Sequence, residues 1–210
     1  MAIVEYPMQT LKGYLPEDTY EKVAHYLHCY KVHLTVTKAR KTVLGDYRNS
    51  VKGKSHRISV NGNLNKYAFL ITLLHELAHL LTYEKFGHRV MAHGKEWQQL
   101  YSMLLSAFVA QKIFPPDIEK ELLKSMYKPA ASSCAEEELT RIIKKYDARI
   151  TGTFLLEELM EGAFFKTRDG RVFQKGKKLR KRYKCSEVAT KNVYLFSAVY
   201  EVKKANADLF

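Results

Sequence analysis

The 210-residue sequence has only three cysteines, at Cys29, Cys134 and Cys185, and no Cys-x-x-Cys pair. Neither a disulfide framework nor a cysteine-rich zinc ribbon is therefore predicted, and a reducing compartment is expected. Proline and glycine are also scarce, at 5 and 10 residues. Their scarcity excludes collagen-like chains and chains dominated by linkers.

The sequence also lacks a hydrophobic run that would cross a membrane. Its most apolar stretch, residues 67–83, is slightly short and carries three ionisable side chains near its middle. Residues 1–13 have neither a basic start nor a long apolar segment, so no secretory signal is predicted. We therefore expect a soluble, cytoplasmic protein without a membrane partner, which can associate with the nucleoid.

Acidic residues are in short supply, at 22 against 35 basic residues, and the net charge is +13. Most of the excess lies in residues 31–57 and 151–210, and residues 166–184 alone hold ten basic side chains and one acid. Clustered positive charge favours a polyanionic partner, most simply DNA. The predicted nucleic-acid contacts are Lys175, Lys177, Lys178, Arg180, Lys181, Arg182 and Lys184. Nearby aromatic residues are assigned to a hydrophobic core.

Hydrophobic periodicity and turn signals predict an α+β fold. Helices are expected over residues 16–30, 66–86, 93–111, 117–127 and 136–146, and strands over 33–37, 42–48 and 57–60. After residue 151, short apolar runs separated by turns, one of them Asp169-Gly170, predict a basic β module. The expected organisation is a first domain over 1–128, a linker and helix over 129–150, and the β module over 151–210.

The most specific motif is His75-Glu76-Leu77-Ala78-His79, which lies inside a predicted helix that is apolar nearly all round. Four residues are about one helical turn, so the two imidazoles project from one face and can bind one Zn²⁺. Glu76 can then act as the general base. Burying these three groups is costly unless they bind a metal or are otherwise paired.

A catalytic zinc ion takes three protein ligands and keeps one position open. The nearest further histidines along the chain are His88 and His93. Because the chain must leave the helix and fold back, the longer loop favours His93, and Gly94 permits a close backbone approach. The spacing alone leaves His88 as the alternative.

At these residues the sequence resembles the SprT-like family of zinc metallopeptidases, which includes the Spartan proteases. The matching segments are Leu44-Gly-Asp-Tyr-Arg48, Arg57–Asn61, His75-Glu-Leu-Ala-His79 and His93-Gly-Lys-Glu-Trp97. The resemblance covers about residues 15–110. It implies a minimal zincin fold and makes His93 the third zinc ligand. Many bacterial relatives end in a four-cysteine zinc ribbon, which this sequence lacks, and the β module would take its place.

The resemblance implies a zinc endopeptidase, with one catalytic Zn²⁺, that cleaves proteins associated with or crosslinked to DNA. A DNA-binding protein with a latent or structural zinc site is the alternative. A second electrophile is often required, and Tyr47, Arg48, Arg57 and His88 remain open for that role. The grouping of His25, His28 and Cys29 is assigned to ordinary packing or surface placement. The sequence does not predict the oligomeric state.

Overall fold

The computed structural model describes residues 8–40, 43–51, 54–126, 137–147 and 152–205. These residues divide between two compact units, and the boundary falls between Asp147 and Ala148. Each unit has its own hydrophobic core. The chain therefore has an α+β architecture. No helix in the described ranges combines the length and the apolar character of a membrane-spanning segment.

The described residues of the first unit form a three-stranded sheet and five α-helices. Its elements are a 3₁₀ helix (Met8–Tyr14), α1 (Tyr20–Cys29), β1 (His33–Thr37), β2 (Gly45–Arg48), β3 (Arg57–Asn61), α2 (Lys66–Phe86), α3 (Lys95–Val109), α4 (Pro116–Ser125) and α5 (Glu137–Lys144). The strand order is β1-β3-β2, with β1 parallel and β2 antiparallel to β3. The second strand is therefore at an edge of this sheet.

Helix α2 is the central element of the first core, and its ends are where the sequence predicts them. The Asn65 side chain accepts a hydrogen bond from the Ala68 backbone N–H at 2.9 Å, which caps the first turn. Gly87, with a φ of 61°, ends the helix. The helix packs on β2, β3 and α3 and is buried on nearly every side, which explains its apolar sequence.

Several predicted boundaries in the first unit shift. Helix α1 begins at Tyr20 rather than near residue 16, because Asp18 has a φ of 60°, outside the right-handed helical region. The predicted strand over 42–48 is shorter in the structure, since β2 begins at Gly45, which pairs regularly with Val60. Helix α5, predicted beside a linker, packs on α4 in the first core. Cys134 and the proposed linker around it lie outside the described residues.

Residues 152–205, the described part of the second unit, form a six-stranded antiparallel sheet. Its elements are β4 (Thr153–Leu155), a short 3₁₀ helix (Leu156–Glu158), β5 (Phe164–Lys166), β6 (Val172–Leu179), β7 (Arg182–Glu187), β8 (Val193–Ser197) and β9 (Glu201–Lys204). The strand order is β4-β9-β5-β6-β7-β8. Phe165 and Phe173 are fully buried in its core, as the assignment of the aromatic residues predicts.

Two glycines shape the hairpins of this sheet. Gly170, with a φ of 92°, lies in the predicted Asp169-Gly170 turn between β5 and β6. Gly176 lies where the β6–β7 register shifts, and a Cβ there would be 2.4 Å from the Lys184 carbonyl oxygen. Only glycine allows the two backbones to approach this closely.

Candidate metal centre

Three histidines of the first unit converge on one point. His75 and His79 lie one turn apart on α2, and His93 lies two residues before α3. The His75 Nε2 atom is 3.3 Å from His79 Nε2 and 3.4 Å from His93 Nε2. The three side chains form a group that can hold a metal ion, and no fourth ligand joins them within the described residues.

The spacing of these nitrogens fits a tetrahedral metal ion. Zn–N bonds of about 2.0–2.1 Å at tetrahedral angles require neighbouring nitrogens to be separated by about 3.3–3.4 Å. Burial lowers the pKa of His75 to about 3 and that of His79 to about 4, and it also lowers the pKa of His93. The imidazoles are therefore neutral at neutral pH, which is the form that binds metal.

The loop after α2 and the start of α3 together place His93. The Gly94 backbone N–H donates to the Met91 carbonyl at 3.0 Å, which turns the chain back towards α2. Gln98 donates from its side chain to the His93 carbonyl at 3.2 Å. His93, rather than His88, therefore completes the group. The ring of His88 packs on Tyr83 instead, with the centroids 5.1 Å apart.

The ring of Trp97 packs against all three histidine rings. Its ring centroid is 4.7 Å from those of His75 and His93 and 5.3 Å from that of His79. It is fully buried. An aromatic ring packed against three ligands restricts their rotamers and therefore fixes the direction of their nitrogens.

Glu76 lies beside the histidines in a buried position and is only 6% exposed. The pKa of Glu76 is raised to about 8, mainly by burial and also by nearby Asp46, while the Arg40 guanidinium opposes both effects. Strand β2 passes so close that a Cβ at Gly45 would lie 2.6 Å from Glu76 Oε1. The glycine is therefore needed for the carboxylate to occupy its position.

The histidines and Glu76 line an open cleft of about 700 Å³ between β2 and the loop after α2. Of the four candidates for a second electrophile, Tyr47 and His88 also line this cleft. Arg48 and Arg57 are exposed and do not line it, so the structure removes them from that role.

Sequence reasoning missed two residues near the cleft. Arg40 donates from its side chain to Asn61, Ser59 and the Leu44 carbonyl, and so ties the start of β2 to β3. His56 contacts Tyr47 and Glu84 and is only 7% exposed. A single histidine or arginine within a basic segment belongs to no motif whose spacing would indicate a functional role. Only the fold reveals their contacts.

Comparison with known proteins assigns a family to this part of the chain. Residues 17–119 match the SprT-like family, and through this segment the chain belongs to that family. Protein SprT of Yersinia pestis is 34% identical over an alignment of 99 residues, which covers 43% of this chain and 58% of the relative. Protein SprT of Yersinia pseudotuberculosis serotype O:1b (strain IP 31758) is 33% identical over the same shares. The match thus spans little more than half of these relatives. No solved structure matches the chain significantly.

The predicted nucleic-acid contacts lie on the β6–β7 hairpin and its turn, and one of them is wrong. Lys175 is only 4% exposed, and its Nζ donates to the backbone carbonyls of Glu157 and Leu159. A buried ammonium group with these partners cannot reach a phosphate. The other six residues are exposed: Lys177, Lys178, Arg180, Lys181, Arg182 and Lys184.

The histidine-rich first helix contains no metal site in the described part of the chain. Cys29 Sγ lies 3.6 Å from His25 Nε2, on an exposed surface. Among the described residues, only the three histidines of the cleft form a group that can hold a metal ion. Surface placement, the interpretation that the sequence favoured, therefore accounts for these residues.

Proposed function

We propose that the chain is a zinc-dependent endopeptidase of the zincin type, with His75, His79 and His93 as the zinc ligands. The observation that carries this proposal is the tetrahedral spacing of three neutral imidazole nitrogens beside a buried carboxylate in an open cleft. Membership of the SprT-like family supports it, because the sequence resemblance implies the same activity.

Zinc bound by the three histidines supplies a Lewis acid that polarises a peptide carbonyl and acidifies water. Glu76 takes the proton from the attacking water as general base and later delivers it to the leaving amine. Its burial suits this role, because a raised pKa makes the carboxylate a stronger proton acceptor than an exposed glutamate. Trp97 keeps the three imidazoles in position throughout.

The wall of the cleft supports a polypeptide substrate. Among the described residues, strand β2 pairs with β3 alone and therefore forms an edge of the sheet. Five consecutive residues of this segment, 43–47, line the cleft. An extended peptide can pair with such an edge through its main chain, largely independently of its sequence.

A structural zinc site is the main alternative, and two observations argue against it. A structural zinc ion is enclosed by four protein ligands, whereas three ligands are found here among the described residues and the cleft opens beside them. A structural site also has no use for the buried carboxylate of Glu76, whose presence beside the histidines is costly.

We further propose that the substrates are proteins associated with DNA. Support comes from the exposed basic side chains on the β6–β7 hairpin of the second unit, which suit the phosphates of a nucleic acid. The side chains of Leu179 and Leu195 are also exposed on this unit, 51% and 53% respectively, and offer apolar contact to unpaired bases.

The test is cleavage of fluorescein-labelled casein and of a basic DNA-binding protein, with and without single-stranded DNA. Glu76→Gln should lower the rate by a factor of about 10² to 10⁴ while zinc remains bound. Glu17→Gln, an exposed glutamate outside the cleft, is the matched control and should cleave normally. DNA should stimulate cleavage of the basic protein. Bound zinc with no cleavage under any condition would overturn the endopeptidase proposal.

A further inference from the structure

Tyr47 occupies a distinctive position in the cleft wall. Its ring is nearly parallel to that of His79, at an interplanar angle of 6° with the centroids 6.5 Å apart. The ring is also nearly parallel to that of His56, at an interplanar angle of 15° with the centroids 5.9 Å apart. The phenol thus contacts both a proposed metal ligand and a buried histidine outside the metal-binding group.

A chain of polar contacts continues from this phenol to Glu84, which is partly exposed. Tyr47 Oη is 2.9 Å from His56 Nδ1, and His56 Nε2 is 3.2 Å from Glu84 Oε1. The Ser50 backbone N–H also points at His56 Nδ1, at 3.3 Å. Tyr47, Ser50 and Glu84 therefore contact the two ring nitrogens of His56.

The backbone N–H of Ser50 determines which nitrogen of the His56 ring carries the proton. A backbone N–H can only donate, so His56 Nδ1 must be an acceptor without a proton. The ring proton is then on Nε2, which lies 3.2 Å from the Glu84 carboxylate. Tyr47 must donate its hydroxyl proton to Nδ1, since Nδ1 has none to give. The phenol oxygen is left with a lone pair and no proton for the cleft.

We infer that Tyr47 Oη accepts a hydrogen bond from a backbone N–H of the polypeptide bound in the cleft. His56 and Glu84 are positioning residues that act through Tyr47 and keep its proton turned away from the substrate. This inference rests on the proposed function, because it names the group that holds the substrate in the same cleft.

The inference reverses the role that the sequence left open for Tyr47. A second electrophile would donate a proton to the carbonyl oxygen and stabilise charge that develops in the transition state. An acceptor for a peptide N–H instead binds the substrate equally before and during the reaction. Loss of such a contact raises KM and leaves kcat nearly unchanged. The two roles therefore have separable kinetic consequences.

The first experiment determines the tautomer of His56 without any substrate. Long-range ¹H–¹⁵N correlation spectra of the zinc-loaded full chain at neutral pH, with His56→Asn for assignment, distinguish a protonated from an unprotonated ring nitrogen. We expect a proton on Nε2 and none on Nδ1. A proton on Nδ1 would free the Tyr47 proton for the cleft and overturn the inference.

The second experiment measures casein binding and cleavage. In the Glu76→Gln background, Tyr47→Phe should weaken the binding of fluorescein-labelled casein about fivefold, as expected for one neutral hydrogen bond. In the otherwise unaltered chain, the same change should raise KM by a similar factor and leave kcat within about twofold. Tyr26→Phe, on α1 outside the cleft, is the control, and zinc content and thermal unfolding confirm that each variant is folded.

The role of His56 is tested by two replacements of different chemistry. The amide oxygen of His56→Asn can take the acceptor position of Nδ1, whereas His56→Leu cannot, so casein affinity should be higher in the asparagine variant. Unchanged casein binding in Tyr47→Phe, or a tenfold loss of kcat at constant KM, would overturn the inference. Failure of the unaltered chain to cleave casein would instead count against the proposed function, since the tautomer and binding results stand independently of cleavage.

Discussion

The two units place their ionisable side chains in opposite ways. In the first, His75 and Glu76 are buried and converge with two further histidines on one cleft. In the second, the cationic groups of the β6–β7 hairpin are exposed, and Lys175 alone among the predicted contacts is buried. Hydrolysis needs a few groups at fixed distances, which packed helices provide. Binding to phosphates needs accessible charges whose spacing can vary.

Among the tests of this comparison, the largest expected effect is the loss of zinc affinity when the third histidine is replaced. His93→Ala should lower zinc affinity by a factor of about 100 or more, because two imidazoles alone hold zinc weakly. His88→Ala is the matched control, since its ring packs on Tyr83 outside the metal-binding group. Zinc content after dialysis against a competing chelator measures both. If both variants retained zinc equally, the three converging histidines of the first unit would not be the zinc ligands.

A steric test of the first unit concerns Gly45. In Gly45→Ala the new methyl group would overlap Glu76 Oε1, so unfolding free energy should fall by about 1–3 kcal/mol and casein cleavage should be lost. Nothing lies within 4 Å of a Cβ placed at Gly13, so Gly13→Ala is the matched control. Urea denaturation measures both variants. A stable and active Gly45→Ala protein would show that the carboxylate is not held where the fold places it.

The prediction for the second unit is tested by replacing exposed lysines in one variant and the buried Lys175 in another. Replacing Lys177, Lys178, Lys181 and Lys184 by alanine should lower the salt-dependence slope of single-stranded DNA affinity by about 3, since each phosphate contact contributes about 0.7. Lys175→Met removes a charge of the same sign but should leave the slope nearly unchanged, although two carbonyls lose their partner. Fluorescence anisotropy at several salt concentrations gives both slopes. If both variants lowered the slope by the same amount, the exposed lysines and the buried Lys175 would contribute alike to DNA binding, contrary to this prediction.

The smallest effect is expected at the exposed end of β2. Arg48 forms an ion pair with Asp46 at 2.9 Å, but the side chains are 66% and 40% exposed. Solvent screens such a pair, so Arg48→Ala should change stability by less than about 1 kcal/mol and leave zinc binding intact. Thermal unfolding and metal content test this. A large loss of stability or of bound zinc would show that Arg48 contributes to the metal centre, contrary to its exposed position.

The sequence predicted the parts of the site that depend on local spacing. The histidine pair and the bounds of its helix, residues 66–86, follow from helix periodicity, and the structure confirms these bounds. Spacing alone could not choose between His88 and His93, because the path of a loop depends on tertiary contacts. The Tyr47–His56–Glu84 chain was missed for the same reason, since it joins residues from separate elements.

Lys175 shows a signal that was present and was overlooked. Side chains alternate along a strand, so Lys175 lies on the same side of β6 as buried Phe173. Counting charges over residues 166–184 hid this alternation. The β-bulge after Lys175 then changes the register, and the lysines beyond it are exposed. A cluster of like charges thus contained both a core residue and candidate phosphate contacts.

The most direct measurement of the central claim is zinc K-edge X-ray absorption on the zinc-loaded full chain. It counts the imidazole nitrogens and the other ligands around the metal ion. The account predicts three imidazoles and one exchangeable oxygen ligand, which His93→Ala should reduce to two imidazoles. Four protein ligands, or a spectrum unchanged in His93→Ala, would contradict a catalytic zinc site at this cleft.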